Sequence, residues 1–247
     1  PDRGIFFFVF YCQGHEIYSL TGLPGRTYGG KQHRIAHAHL YRSICLLRKF
    51  AGLYRYLATV WKGNGFLRKA MVSSLTLQGL DENAARYASY PAVADALRHR
   101  AAGPKGDLRE LWSRMLFNIL VGNTDDHARN HACFWDGTSV RLTPAYDIDP
   151  RPRLGREANQ AMAVDREDRR ALIATALAAA GHFGLRSDEA IAIARRQIEL
   201  IRSSFRRVAT AAGLSVELQN LLAGRAFLNP YVFEGAPQEL AALEVGF

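Results

Sequence analysis

The clearest pattern along the chain is helical. From Asp107 the apolar residues Leu108, Leu111, Trp112, Met115, Leu116, Ile119 and Leu120 recur at three- and four-residue steps, and Gly122 closes the run. That spacing predicts an amphipathic helix with one buried face. A shorter helix is expected to follow Ser89 and run to about Arg100, with Ser89 as N-cap and Pro91 in the first turn, where a missing N–H costs nothing. Ala101–Gly106 reads as a loop between them. Upstream, Met71–Leu77 reads as one helical turn or a buried segment, and Asp81-Glu82-Asn83 opens a short helical piece. After the long helix the period changes. Ala132–Trp135 and Ser139–Leu142 flank Asp136-Gly137, a hairpin signal, and Pro144–Pro150 reads as loop. Helix is expected again over Asp168–Phe183, Ser187 to about Ala212 and Val216–Phe227. The acidic start at Asp188 and Glu189 and the later arginines (Arg195, Arg196, Arg202, Arg206, Arg207) suit the dipole of the middle one.

Residues 1–62 carry no clean period. Ile5–Tyr11 reads as a buried strand, Leu23–Arg26 and Tyr28–Lys31 as turns, and Ile35–Val60 as a helix with Leu40, Ile44, Leu47 and Leu53 loosely on one side. The segment holds nine Lys and Arg against Asp2 and Glu16, so most of the chain's net charge of +9 arises there. It also holds 12 of the 26 aromatic residues. A basic, aromatic-rich stretch can mark a nucleic-acid surface. The alternative is a segment not selected as protein, and on that reading no direct nucleic-acid partner is expected. Methionine occurs at positions 71, 115 and 162, and position 1 is proline. The chain is therefore expected to be a fragment, a trimmed product or a reading of incomplete DNA.

Composition narrows the class. Of 247 residues 48% are hydrophobic and 22% charged, which excludes a disordered chain and suffices for a sizeable core. Cys12, Cys45 and Cys133 give neither a disulfide framework nor a zinc spacing, so a reducing cytoplasm is the expected location. The apolar run Ile5–Cys12 is far shorter than the roughly 20 residues of a membrane span, and it lacks the flanks of a signal peptide. No membrane association is expected.

The chemistry concentrates in Gly122–His131 (GNTDDHARNH), a polar loop between the apolar helix and the hairpin, with Tyr146-Asp147-Ile148-Asp149 following the hairpin. Phosphoryl transfer needs a carboxylate to orient or deprotonate the attacking hydroxyl, and oxygen ligands to hold magnesium against nucleotide phosphates. Asp125, Asn130 and Asp147 have a spacing that supplies this set, and Arg129 or His127 can neutralise charge or hold the loop. The same loop read differently offers Asp125, Asp126, His127 and His131 as ligands of a metallohydrolase. Read as structure alone, it is a turn with side-chain-to-backbone hydrogen bonds. Cys133 reads as a small apolar residue, Trp112 and Trp135 as core or half-buried packing, and the arginines at 202–207 as a solvated helix face.

GNTDDHARNH followed by RLTPAYDID closely resembles the HipA family of bacterial serine/threonine kinases, the toxin halves of toxin–antitoxin pairs. LFNILVGN, SSLTLQGLDENAARYASY, GREANQAMAVD and FLNPYVFEGAP resemble it as well, so the likeness runs over residues 63–236. The resemblance implies an α+β, mostly α, protein-kinase-like fold: residues 63–247 as a helical C-terminal lobe with a short catalytic-loop hairpin, and residues 1–62 as an atypical or out-of-frame N-lobe remnant. It implies Asp125 as catalytic aspartate and Asn130 and Asp147 as magnesium ligands; the loop's own charges make Arg129 and His127 the cofactor-binding candidates. ATP and Mg2+ are the implied cofactors, a protein serine or threonine the substrate, and a DNA-binding antitoxin the partner. The phosphate-covering loop and strand lysine of such a kinase have no counterpart in residues 1–62 beyond Gly29-Gly30-Lys31. A non-catalytic module that docks an antitoxin-like partner is the second reading.

Overall fold

The computed structural model describes residues 59–62, 65–153, 155 and 157–244. The expected strand over Ile5–Tyr11, the turns at Leu23–Arg26 and Tyr28–Lys31, and the expected helix up to residue 58 lie outside the described residues. Thr59 and Val60, the last two positions of that helix, belong instead to strand β1 (Thr59–Lys62), which pairs antiparallel with β2 (Gly65–Arg68). Thr-Val-Trp is a β-branched and aromatic run that favours extended backbone.

Strand β3 (Ala70–Ser73) passes directly into the single-turn helix α1 (Ser74–Leu77), so the Met71–Leu77 segment is half strand and half helix. Ser73 makes the switch by accepting the backbone N–H of Thr76. Helix α2 (Tyr90–Arg100) starts where the sequence places it, its N-cap Ser89 accepting the N–H of Ala92. Helix α3 (Pro104–Leu120) starts three residues ahead of Asp107, because Pro104 sits in the first turn rather than in a loop. The hairpin of β4 (Ala132–Trp135) and β5 (Val140–Leu142) adds to β3 in the order β3-β4-β5, all antiparallel. Asp136 closes its turn by accepting the N–H groups of Ser139 and Thr138, and these hydrogen bonds hold its carboxyl below the usual carboxylate range.

The C-terminal third is helical with two corrections. Helix α4 (Ile173–Ala178) and the 3-10 turn Ala179–Phe183 begin five residues later than expected. Residues from Asp168 on are held extended by bridges from Asn159 to Arg170 and from Asp165 to Asp168. Helix α5 (Ser187–Ala211) matches its expected span, with the Glu189 carboxylate accepting the Arg186 N–H at its start. Helix α6 (Val216–Leu222) stops short of Phe227, and helix α7 (Gln238–Ala241) follows. Among the arginines of the α5 face, Arg206 and Arg207 are exposed and Arg202 donates to the Leu243 carbonyl.

The core lies where α3 crosses α2, α4 and α5. Leu111, Trp112, Met115, Leu116, Ile119 and Leu120 are buried there against Tyr90, Val93, Leu97, Ile173 and Ile198. Each such side chain contributes about 1.5–3 kcal/mol by leaving water. Trp112 donates its indole N–H to the Ala176 carbonyl at 2.8 Å, so its burial leaves no polar group unpaired. Trp135 is not packed as expected. It is 51% exposed at the turn end of β4, beyond the reach of the core.

Cys133 lies in β4 with no exposed surface, and burial, reinforced by the charge of Asp107, pushes its thiol up to about 12. The nucleophilic thiolate forms only near and above that pH. Iodoacetamide at pH 8 is therefore expected to leave Cys133 unmodified in the native chain and to label it fully in denaturant, read by peptide mass spectrometry. Native labelling at a rate comparable to the denatured chain would contradict this burial.

Candidate functional site

The loop Gly122–His131 connects the C-terminal end of α3 to β4 and folds upon itself. The His127 N–H donates to the Asp125 carbonyl at 2.9 Å, and the Asn130 N–H donates to the His127 carbonyl at 2.8 Å. These bonds wind Ala128–Asn130 into one 3-10 turn. The Asn130 side-chain amide donates to the same Asp125 carbonyl at 3.2 Å. Helix α1 clamps the loop from outside: the Ser74 N–H donates to the His131 carbonyl at 2.7 Å and its hydroxyl to the Ala128 carbonyl at 2.6 Å. The Tyr146 hydroxyl, on the segment after the hairpin, donates to the Arg129 carbonyl.

Asp125 and Asp126 are neighbours with opposite fates. The Asp125 side chain is 52% exposed. That of Asp126 is 2% exposed and accepts three hydrogen bonds: from the Tyr90 hydroxyl, from Asn118 Nδ2 at 2.6 Å and from His131 Nε2 at 3.0 Å. A carboxylate taken out of water requires donors of this kind. The rings of Tyr90 and His131 also meet edge to face, 5.4 Å apart. Asn118 in turn accepts from Asn123 Nδ2 at 3.0 Å, and the same Asn123 nitrogen reaches the Asp147 carbonyl at 3.4 Å.

Asp147 is exposed and adopts a left-handed backbone with φ 56°. Outside glycine this conformation costs about 1–2 kcal/mol, though Asp tolerates it better than most. Four residues on, Arg151 reaches back. Its Nε donates to Asp149 at 2.9 Å and its Nη2 to the Asp125 carboxylate at 3.3 Å. The Asp149 hydrogen bond, joined by the charges of Asp149, Asp125 and Asp147, raises the guanidinium above its ordinary range. Two carboxylates, Asp149 and Asp125, thus share one cationic group.

Of the residues singled out from sequence, Asp125 and Asn130 are directly joined, and the backbone carbonyl of Asp147 is held by Asn123. Arg129 points elsewhere, into an ion pair with Glu82, with 37% of its side chain exposed. His127 is half-buried, and its Nδ1 is buried without a hydrogen bond. The four residues of the metallohydrolase set do not converge. Asp126 and His131 bond each other in the interior while Asp125 faces solvent, and among the described residues no group of three or more His, Cys, Asp or Glu is placed to hold a metal. Tyr90, Asn118, Asn123 and Arg151 had no role in the sequence reading. Asn118 carried a signal: an amide inside the apolar stretch Leu116–Leu120 must find partners when that face is buried.

A family model described as the HipA-like C-terminal domain matches residues 32–211. The curated protein named "Putative kinase Y4mE", of Sinorhizobium fredii (strain NBRC 101917 / NGR234), is 33% identical over 54 residues, which are 22% of this chain and 13% of that protein. Among solved structures, one of the Shewanella oneidensis MR-1 toxin–antitoxin system HipA, HipB and its operator DNA complex aligns with 76% of this chain and 43% of its own, at 18% identity and a TM-score of 0.47. The chain spans less than half the length of either relative. Among the described residues no helix is long and apolar enough to cross a membrane.

Proposed function

Because the chain belongs to the HipA-like C-terminal domain family, we propose that it is a protein-kinase-like chain that transfers the γ-phosphoryl group of ATP to a serine or threonine hydroxyl of a protein, with magnesium as the metal. The observation that carries this reading is the tie between Asp125 and Asn130. The carboxylate of Asp125 is open to solvent, and its backbone carbonyl holds the Asn130 amide nitrogen. The donating nitrogen is thereby occupied, and the Asn130 carbonyl oxygen is the group left to meet a cation. Asp147, across the Asn123 contact, supplies the second oxygen ligand. An amide oxygen and a carboxylate suit magnesium, which takes few protein ligands and retains water and phosphate. The convergence of Asp149 and Asp125 on Arg151 supports a place that accepts positive charge.

In this reading Asp125 accepts the proton of the incoming hydroxyl. Asn130 and Asp147 fix the metal, whose charge, when bound, offsets that of the phosphates. Arg151 would give up its carboxylate partners to a cation at small cost, since half-exposed ion pairs contribute about 0–1 kcal/mol. Arg129 reaches the phosphates only by leaving Glu82, an exposed pair that costs similarly little to break, and His127 lies on the same loop. A DNA-binding antitoxin-like protein is the partner class that goes with the family, and the cytoplasm the location.

The test is calorimetry of ATP with and without magnesium, on the 247-residue chain and on Asp147→Ala. Saturable binding that needs magnesium and weakens in the variant is the expected result. A folded chain that binds no nucleotide would overturn it and put the non-catalytic docking module ahead.

A further inference from the structure

Asp126 plays no part in the chemistry proposed above, yet it is the most heavily bonded side chain of the loop. The hydrogen bonds that leave it do not end locally. Asn118 donates to Asp126 with its Nδ2 and accepts from Asn123 with its Oδ1. Asn123 then donates to the carbonyl of Asp147. The path starts at Tyr90 on α2, passes through α3, and finishes on the backbone of a residue from a different segment of the chain. Every side chain along it is buried: Tyr90, Asn118, Asn123 and Asp126 are each 3% exposed or less.

We propose that Asp126, Asn118 and Asn123 form a positioning relay that fixes the distance between the Asp125–Asn130 loop and Asp147, and so sets the site's affinity for its divalent cation. The inference rests on the kinase reading of the site and adds residues to it. Two features support it beyond the bonds themselves. First, the direction of the relay is forced. A carboxylate can only accept, so the nitrogen of Asn118 must face Asp126 and its oxygen must face Asn123. Asn123 therefore presents a donor, which is what a backbone carbonyl requires. Second, the relay ends at a residue that needs holding. Asp147 is one of three non-glycine residues with positive φ among the described residues, and its left-handed backbone persists only where its surroundings hold it. Its side chain is exposed and receives no such support from packing. Asn123 supplies it at the carbonyl, at the place where the left-handed turn redirects the chain toward Asp149 and Arg151.

Asp126 is thus a positioning residue. It touches no substrate, and it acts by fixing the orientation of Asn118. Cutting the relay at either end has the same consequence. Asn123→Ala removes the last joint and leaves the three donors of Asp126 in place. Asp126→Asn replaces an acceptor by a group of equal size that confronts the Asn118 amide with a second donor, or turns that amide around.

The experiment titrates magnesium at fixed ATP by calorimetry on the full chain, for the original sequence, Asn123→Ala and Asp126→Asn, with a thermal melt of each. The relay predicts that both variants need about three- to tenfold more magnesium for half-saturation, the size expected for one lost hydrogen bond, while ATP affinity without magnesium is unchanged. A merely structural role lowers the melting temperature and the fraction of competent molecules but leaves the half-saturating magnesium concentration unmoved, and that result would overturn the proposal. Either variant suffices if the other fails to fold. If the original chain shows no magnesium-dependent nucleotide binding, the kinase reading fails, and the relay's role falls with it. If the original chain binds and the variants match it, the reading stands and the relay alone is wrong.

Discussion

Asp125→Asn is expected to slow γ-phosphoryl transfer by about a hundred- to ten-thousandfold while leaving magnesium–ATP binding essentially intact. The magnitude is that of losing a positioned general base. The separation of the two effects follows from the local geometry. The backbone carbonyl of Asp125, not its carboxylate, holds the His127 N–H and the Asn130 amide, so the substitution leaves the fold of the loop untouched. The side chain is half-exposed and its one hydrogen-bonding partner among the described residues is Arg151, in an ion pair worth about 0–1 kcal/mol. Stability should therefore change little. Asn is nearly isosteric, and what disappears is the ability to take a proton. The measurement is ADP release under single-turnover conditions beside a calorimetric titration. A variant that turns over like the original chain would remove Asp125 from the chemistry. A variant that loses binding as well would mean that Asp125 serves the metal rather than the hydroxyl.

The contrast between Asp125 and its neighbour also shows what was legible in the sequence. Helix α3 could be read because its seven apolar positions repeat with the helical period, a property local to the chain. The hairpin could be read because Asp136-Gly137 supplies its own turn chemistry. The Asp125–Asn130 pair could be read because both members sit on one short loop. Which of two adjacent aspartates is buried could not be. That is decided by Tyr90, 36 positions upstream, and by Asn118 on another helix, and neither carries a local mark linking it to Asp126. The errors at element ends have similar causes. Asp168–Leu172 has helical composition, but its backbone groups bond to Ala158, Gln160, Val164 and Asp165, an arrangement no window on the sequence displays. Trp135 has the content of a core residue and lies one position too far along its strand.

Gly122 governs whether the loop can leave α3 at all, and Gly122→Ala is expected to destabilise the chain by about 2–5 kcal/mol. One part is conformational. The residue has φ +72°, which costs a side-chain-bearing residue about 1–2 kcal/mol. The other part is contact. A Cβ would stand 2.8 Å from the Ala226 carbonyl oxygen, 3.1 Å from its Cα and 3.2 Å from its carbonyl carbon. These are backbone atoms of the turn after α6 and cannot swing aside as a side chain would, so the strain is that of overpacking, about 1–3 kcal/mol. Against a typical stability of about 5–15 kcal/mol this is a large fraction. The site should register it as well, because the Gly122 carbonyl accepts the Arg151 N–H at 3.3 Å and the next residue is Asn123. Denaturant unfolding of the original chain, Gly122→Ala and Gly122→Asn separates the two parts. Asn tolerates the left-handed backbone but carries the same Cβ. If contact with Ala226 dominates, both variants lose stability alike. If Asn restores most of it, the backbone conformation is the controlling factor. If neither variant is destabilised, the close approach of α3 to the Ala226 turn is not a feature of the folded chain.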